Sequence, residues 1–440
     1  MSDNVPVLSA ELATRISEAV EASRAELIAL VRDLVRIPSE NPKLVDTPPG
    51  GEAAVQDRVA AALQEIGCEL DRWDALPGRP DLVGTIRGAG GGRSLAVNGH
   101  IDVVPAGDPA EWPHDPWGAE LHDGAIWGRG ACDMKGGVAA MIHAATILHR
   151  LGLRLKGDLF IESVIDEETG GPGTRSTIER GYRPDFAVVA EPTDLTIFPV
   201  EGGLEWLRVT IVGRSGHSAL RYKTVHAGGQ GSAVNALEKG AKILAAVQDL
   251  ERAWAVRKVH PLMPPGITTI NPGVMAAGSG GGQDGMPNVM TAVSTLPDYC
   301  SLELSLKYLP SEKTEEVRAE FEDYIHRVAQ TDEWLRAHPP TIEWGLRGVS
   351  FPPVNTPVEH PGVQTLVGCL EAFGQPVNIG GFVAVTDTAW FSEAGIPSVI
   401  FGPGSASGAH SSAESVRIDD LVEGCKLLAA MMVAWCGLAE

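Results

Sequence analysis

The chain has 440 residues, too many for one ordinary hydrophobic core, so two domains are the default expectation. Its formal charge of −22 argues against nucleic acid and anionic membrane surfaces, both of which attract basic proteins. The six cysteines include no C-x-x-C pair, which excludes a thiolate zinc site and a dense disulfide framework and fits buried free thiols. The N-terminus lacks the basic and apolar regions of a signal peptide, and the last apolar run, Leu427 to Leu438, is too short to span a bilayer. A cytoplasmic protein is expected.

Ser9 to Ile37 carries apolar residues at helical spacing and reads as one long amphipathic helix, or two, stopped by Pro38. Asn41 to Gly51 is a Pro/Gly-rich loop, and Glu52 to Gly67 a second amphipathic helix. Asp81 to Arg87 and Ser94 to Asn98 read as strands joined by the loop GAGGG. That loop lacks the G-K-[ST] ending of a phosphate-binding loop and is expected to be a flexible hairpin turn. The strand continues through His100 and Asp102. After a loop comes Asp133, followed by a glycine pair and an amphipathic helix.

Further on, three apolar strands run straight into polar residues. Leu159 to Ile165 leads to Glu167 and Glu168, Phe186 to Ala190 to Glu191, and Pro397 to Phe401 towards His410. Strands alternating with helices predict an α/β fold with a mixed, mostly parallel sheet and helices on both faces. Ligands of such sheets collect beyond the carboxyl ends of the strands. From Glu205 to about Gly345 the pattern changes to half-buried strands and charged helices, with few candidate ligands at strand ends. We therefore expect a catalytic domain in two parts, 1–204 and 348–440, interrupted by a smaller α+β domain over 205–347. The GSGGGQDG segment near Gly280 is expected to be a mobile connection.

Two histidines and three or four carboxylates suit two adjacent divalent ions. Asp133 is the natural bridge, because the glycines after it allow a close backbone turn. A tandem Glu-Glu can divide its labour, one residue coordinating and the other accepting a proton from an activated water. Asp102 is placed to orient the His100 imidazole. Each residue also has a plain structural explanation: an acidic turn for Glu167 and Glu168, a strand end for Glu191, a loop position for His410. Their joint occurrence at strand ends is what favours a single site.

The segments GHID, GRGACDMKGG, IDEETGG, AEPTDL, GRSGHSA and GPGSASGAHSSAE resemble the M20 family of dinuclear metallohydrolases, in order, from about Leu34 to the C-terminus. The resemblance implies metal ligands His100, Asp133 (bridging), Glu168, Glu191 and His410, with Glu167 as general base. It implies two divalent cations, zinc first, with manganese or cobalt as alternatives. It also implies a lid domain that forms a homodimer, with higher homo-oligomers open. Read alone, His217 is a polar residue after a strand, and GRSGH fails the G-x-S-x-G nucleophile pattern. The resemblance instead implies a histidine that reaches the partner subunit's site and stabilises an oxyanion. Asn288 matches a substrate-contacting position, although asparagine in a turn explains it equally well.

Two positions depart from the family pattern. Lys307 stands where members that grip an α-carboxylate often carry Arg, and TDTAW at Thr386 to Trp390 replaces T-D-A-R. Lysine cannot reproduce the bidentate fork of arginine, so a strict α-carboxylate requirement is not expected, and Lys307 is kept as a substrate-binding candidate. The expected function is hydrolysis of an amide in a small N-acyl amino acid or related compound, by a water held between the ions with Glu167 as base. The alternatives are a dipeptidase or carboxypeptidase, a hydrolytic deaminase, or a catalytically silent binding protein of the same fold.

Overall fold

Ser9 caps the first helix by accepting the Leu12 N–H, and the apolar stripe that follows folds as two helices, Ala10–Ala22 and Arg24–Val35. In this computed structural model, residues 8–45, 50–225, 233–289 and 293–439 are described. The chain divides into two units, Met1–Glu201 with Val354–Glu440, and Gly202–Pro353.

The first unit is built on a nine-stranded mixed sheet. Four neighbouring strands at its centre, Leu159–Val164, Leu95–His100, Phe186–Val189 and Ser398–Ile400, run parallel and are almost wholly buried. Such strands are covered on both faces, which is why they read as mostly hydrophobic runs, interrupted here by buried Asn98, Glu162 and Ser163. Glu69–Leu76 and Arg79–Ile86 extend one side antiparallel. On the other side lie Ile197–Glu201, Val354–Asn355 and Ile379–Phe382. The helix Lys135–Arg150 packs against the sheet and against Ile418–Cys436, both lined by residues of one continuous apolar core. All six cysteines are free and buried.

The glycines of residues 88–92 do not make the expected hairpin turn. Arg79–Ile86 and Leu95–His100 are not partners, because Leu159–Val164 lies between them. The physical reason is close backbone approach. A Cβ on Gly88 would lie 2.3 Å from the Lys156 oxygen, and one on Gly92 2.2 Å from the Cys436 oxygen. The stretch between Asp102 and Asp133 is also more than a loop. Glu120–His122 and Ala125–Trp127 form a hairpin, and the second strand pairs with Ser415–Arg417.

The second unit has an antiparallel sheet in the order Pro287–Val289, Ile270–Gly281, Tyr299–Tyr308, Gly203–Val212, Thr341–Trp344. Helices Ala236–Arg257 and Thr314–Gln330 share its separate apolar core around Trp254 and Phe321. The glycine-rich segment near Gly280, expected to be a connection, forms a strand end and a tight turn: Ser279 pairs with Val289, and the Gly282 N–H donates to the Met286 oxygen at 2.6 Å. Among the described residues no helix is long and apolar enough to cross a membrane.

One titratable group sits inside the helical layer of the first unit. The Ser23 hydroxyl donates to the Ala19 oxygen at 2.8 Å and accepts from buried His143 Nε2 at 2.8 Å. Burial, aided by the positive Arg150, pushes the His143 pKa down to about 4. Between that value and the usual 6.5 the unfolded chain takes up the proton and the folded chain does not, so stability is lost as pH falls. The group costs about 3 kcal/mol at pH 4 by linkage. The Tm of the native protein is therefore expected to fall further between pH 6.5 and pH 4 than that of His143→Gln. Parallel Tm profiles would contradict this.

Candidate metal centre

The four parallel strands end on one edge of the sheet, and that edge collects the candidate ligands. His100 closes its strand, and its Nδ1 lies 2.9 Å from the Asp102 main-chain oxygen. A carbonyl can only accept, so Nδ1 carries the proton and Nε2 is turned inward. There Nε2 lies 3.2 Å from Asp133 Oδ1 and 3.6 Å from Glu191 Oε1. On the other side of Asp133, His410 Nε2 lies 3.2 Å from Asp133 Oδ2 and 3.1 Å from Glu168 Oε2. Asp133 thus turns one oxygen to each of two triads, His100/Asp133/Glu191 and Asp133/Glu168/His410, and the ligand atoms of each triad lie within 4.8 Å of one another. Glu167 belongs to neither; its Oε2 is 4.0 Å from His100 Nε2.

The centre holds more negative charge than its own residues can balance. Burial raises the pKa of Glu167, Glu168 and Glu191 above the usual carboxylate range. His100 is raised despite its burial, because Glu191 and Asp133 face it. Hydrogen bonds to Asp133 and Glu168 lift His410 to about 10. Burial opposes the charge on Asp133, yet the two imidazoles hold it below its ordinary value. Glu168 Oε1 is buried with no hydrogen-bond partner. An orphaned carboxylate oxygen, two paired sets of imidazole nitrogen and carboxylate oxygen, and no thiolate fit a pair of divalent ions of the zinc, manganese or cobalt kind.

Asp102 differs from expectation in how it acts. Its carboxylate stands 3.6 Å from the His100 ring, and the main-chain carbonyl orients the imidazole instead. The carboxylate accepts the N–H groups of Glu167 (3.1 Å) and Glu168 (3.3 Å) and the Asn41 amide (2.7 Å). Asn41 also donates to Asp166 at 3.0 Å, and Asp166 takes a left-handed conformation (φ 64°) that starts the Glu167–Thr169 turn. Asp166 is paired with Lys43 and with Arg79, and Arg79 in turn is held by Glu52. Sequence reasoning missed Asn41, Asp166 and Arg79, although an arginine opening an otherwise buried strand was a visible signal. It also missed Glu414, whose Oε1 accepts the N–H groups of Cys132 and Asp133 at 3.1 Å each while Oε2 is paired with Arg129. The glycine pair has a steric basis: a Cβ on Gly137 would lie 2.0 Å from the Ala190 oxygen, next to Glu191.

His217, Asn288 and Lys307 belong to the second unit. His217 is exposed, and its Nδ1 accepts the Ala219 N–H at 3.1 Å, which leaves the ring proton on Nε2. The Asn288 amide donates to the Gly281 oxygen at 3.0 Å. Lys307 lies half-buried on Tyr299–Tyr308, its N–H donating to the Thr269 oxygen.

The family model for peptidase family M20/M25/M40 matches residues 96–434. The N-formyl-4-amino-5-aminomethyl-2-methylpyrimidine deformylase of Bacillus subtilis is 36% identical over 433 residues, covering 96% of this chain and 97% of that protein. Among solved structures, aminopeptidase PepT of Bacillus cereus superposes with a TM-score of 0.72 at 17% identity, over 94% of this chain and 99% of its own. The YXEP protein of Bacillus subtilis, described as a dinuclear metal-binding peptidase, gives 0.65 at 16%, over 94% and 98%.

The geometry around Asp133 separates it from the other carboxylates. Elemental analysis of purified variants is expected to find both ions depleted in Asp133→Ala and about one per chain retained in Glu191→Ala. Equal depletion would contradict the bridging arrangement.

Proposed function

The chain belongs to peptidase family M20/M25/M40 and is a hydrolase of amide bonds in small molecules; within that class we propose that it removes the formyl group from an N-formylated aminomethylpyrimidine. The observation that carries this reading is similarity to the Bacillus subtilis deformylase over nearly the whole of both chains. The departures at Lys307 and at Thr386 to Trp390 support it. They sit where an α-carboxylate would be gripped, and the substrate in that relative's name carries no carboxylate.

In this reading His100, Asp133 and Glu191 hold one divalent ion and Asp133, Glu168 and His410 the other, zinc first. When bound, the ions supply Lewis acidity that polarises the formyl oxygen and acidifies water. Glu167, close to the centre but outside both triads, accepts the proton of the attacking water. As the carbon–nitrogen bond breaks, Glu167 delivers that proton to the departing nitrogen, so formamide and water become amine and formate. Asp102 and Asn41 hold the Glu167–Glu168 turn in place through its two N–H groups. His217 donates Nε2–H to the developing oxyanion from the partner subunit of a homodimer, and Asn288 and Lys307 contact the substrate.

Assay of the purified protein with N-formyl aminomethylpyrimidine, N-acetylornithine and dipeptides is the direct test. Release of formate in clear preference to the other reactions is expected; preferential cleavage of a dipeptide or an N-acyl amino acid would replace the reading. Glu167→Gln is expected to lower kcat by about 10²–10⁴-fold with metal content unchanged. Loss of metal in Glu167→Gln but not in Glu168→Gln would reverse their roles. A co-expressed heterodimer of His217→Ala and Glu167→Ala chains should regain activity that each parent lacks, because one of its sites is intact. A verified but inactive heterodimer would place His217 outside catalysis in trans.

A further inference from the structure

A second kind of ligand cluster lies outside the centre already described. Glu120 and His122 sit two residues apart on the strand Glu120–His122 and therefore face the same way. His114 reaches them from the preceding loop and stacks on His122, with ring centroids 3.7 Å apart and planes within 8°. Both imidazoles address the same carboxylate oxygen. His122 Nε2 lies 2.8 Å from Glu120 Oε2, and His114 Nδ1 lies 3.7 Å from that atom. The three candidate ligand atoms fall within 4.8 Å of one another.

The cluster is held from several sides. Trp127 packs edge-on against His114 at 5.1 Å, and its indole N–H donates to the His122 oxygen at 3.3 Å. The hairpin that carries Glu120 and His122 is fixed by pairing of Ala125–Trp127 with Ser415–Arg417. The hydrogen bond from His122 keeps the Glu120 carboxyl below its usual pKa, so it is charged at neutral pH. The two nitrogens cannot share one oxygen equally well through protons, since His114 Nδ1 stands beyond hydrogen-bond length. One cation can meet all three atoms once the parallel rings turn out of their stack so that both nitrogen lone pairs point at it, a rotation of side chains that lie partly or largely in solvent.

We propose that His114, Glu120 and His122 form a third metal site, separate from the catalytic pair, which takes one zinc- or nickel-type divalent ion and clips the 114 loop to the hairpin. Two imidazoles and one carboxylate select such ions over magnesium and calcium, which take oxygen ligands. The hairpin partner Ser415–Arg417 directly follows Glu414, which anchors the main chain of Asp133. The ion therefore stiffens a segment one strand away from the catalytic centre without joining it.

Equilibrium dialysis against Zn²⁺ or Ni²⁺ at low micromolar free concentration tests the site. The native protein is expected to bind one ion per chain more than His114→Ala/His122→Ala. That difference of one holds whether the catalytic centre is full or empty, so it stands apart from the proposed deformylase reading. Glu120→Gln, a milder change, should keep the fold and bind the extra ion more weakly. Saturating Zn²⁺ should raise the Tm of the native protein more than that of the double variant. Equal stoichiometry in native and double-variant protein overturns the proposal, as does equal competition for the extra site by Mg²⁺.

Discussion

The arrangement of the first unit follows from one electrostatic constraint: too many carboxylates meet at the end of four parallel strands. Two like charges at roughly 4 Å repel by about 4 kcal/mol even at an effective dielectric of 20. Asp133, Glu167, Glu168 and Glu191 all lie within 4 Å of an imidazole nitrogen, and two imidazoles cannot neutralise four carboxylates. The raised pKa values of the glutamates express that excess. A folded protein keeps such a cluster only when something else compensates it. The inward Nε2 of His100 and the split aim of the Asp133 oxygens make a pair of cations the economical solution.

Around this centre the scaffold alternates charge and spends main-chain hydrogen bonds. Asp102 is wholly buried, and its carboxylate is satisfied by two main-chain N–H groups and one amide. Behind it Asp166 is balanced by Lys43 and Arg79, and Arg79 also meets Glu52, which burial has pushed up to about 7. The strained left-handed backbone at Asp166 is affordable because Asn41, Arg79 and Lys43 all hold its side chain. On the opposite side Glu414 fixes the main chain of Cys132 and Asp133. Asp133 is therefore positioned through its N–H, and its two side-chain oxygens face the two imidazoles.

What could be read from the sequence was whatever the sheet's own geometry dictates. The parallel strands are mostly apolar, so polar residues at or just after their ends stand out, and His100, Glu167, Glu168 and Glu191 were visible for that reason. Asp133 was visible because glycines follow it, and Gly137 does sit against the Ala190 carbonyl. Asn41 and Glu414 gave no signal, and Arg79 showed only as an arginine opening a buried strand, because their partners are 61, 281 and 87 positions away and no periodicity encodes such pairings. The same limit explains the misread glycines of residues 88–92. A glycine needed for a turn and one needed for close approach look alike until the neighbouring chain, here Lys156 and Cys436, is known. The loop assigned between Asp102 and Asp133 hid a short hairpin, since three-residue strands carry too little alternation to register.

The ligands and the remaining candidate residues also fall on different cores. His100, Asp133, Glu167, Glu168, Glu191 and His410 all belong to the unit whose apolar core runs from Leu8 to Cys436. His217, Asn288 and Lys307 belong to the unit built around Trp254 and Phe321. Close-packed cores transmit substitutions to their own neighbours, and two separate cores limit how far a change in one is felt in the other. On the proposed reading, a change at Lys307 acts on which molecule is accepted, while the candidate ligands are held by the packing of their own core. In that reading a constant hydrolytic centre serves a substrate without a carboxylate: the departures from the family pattern at Lys307 and at Thr386 to Trp390 alter recognition and leave both triads complete.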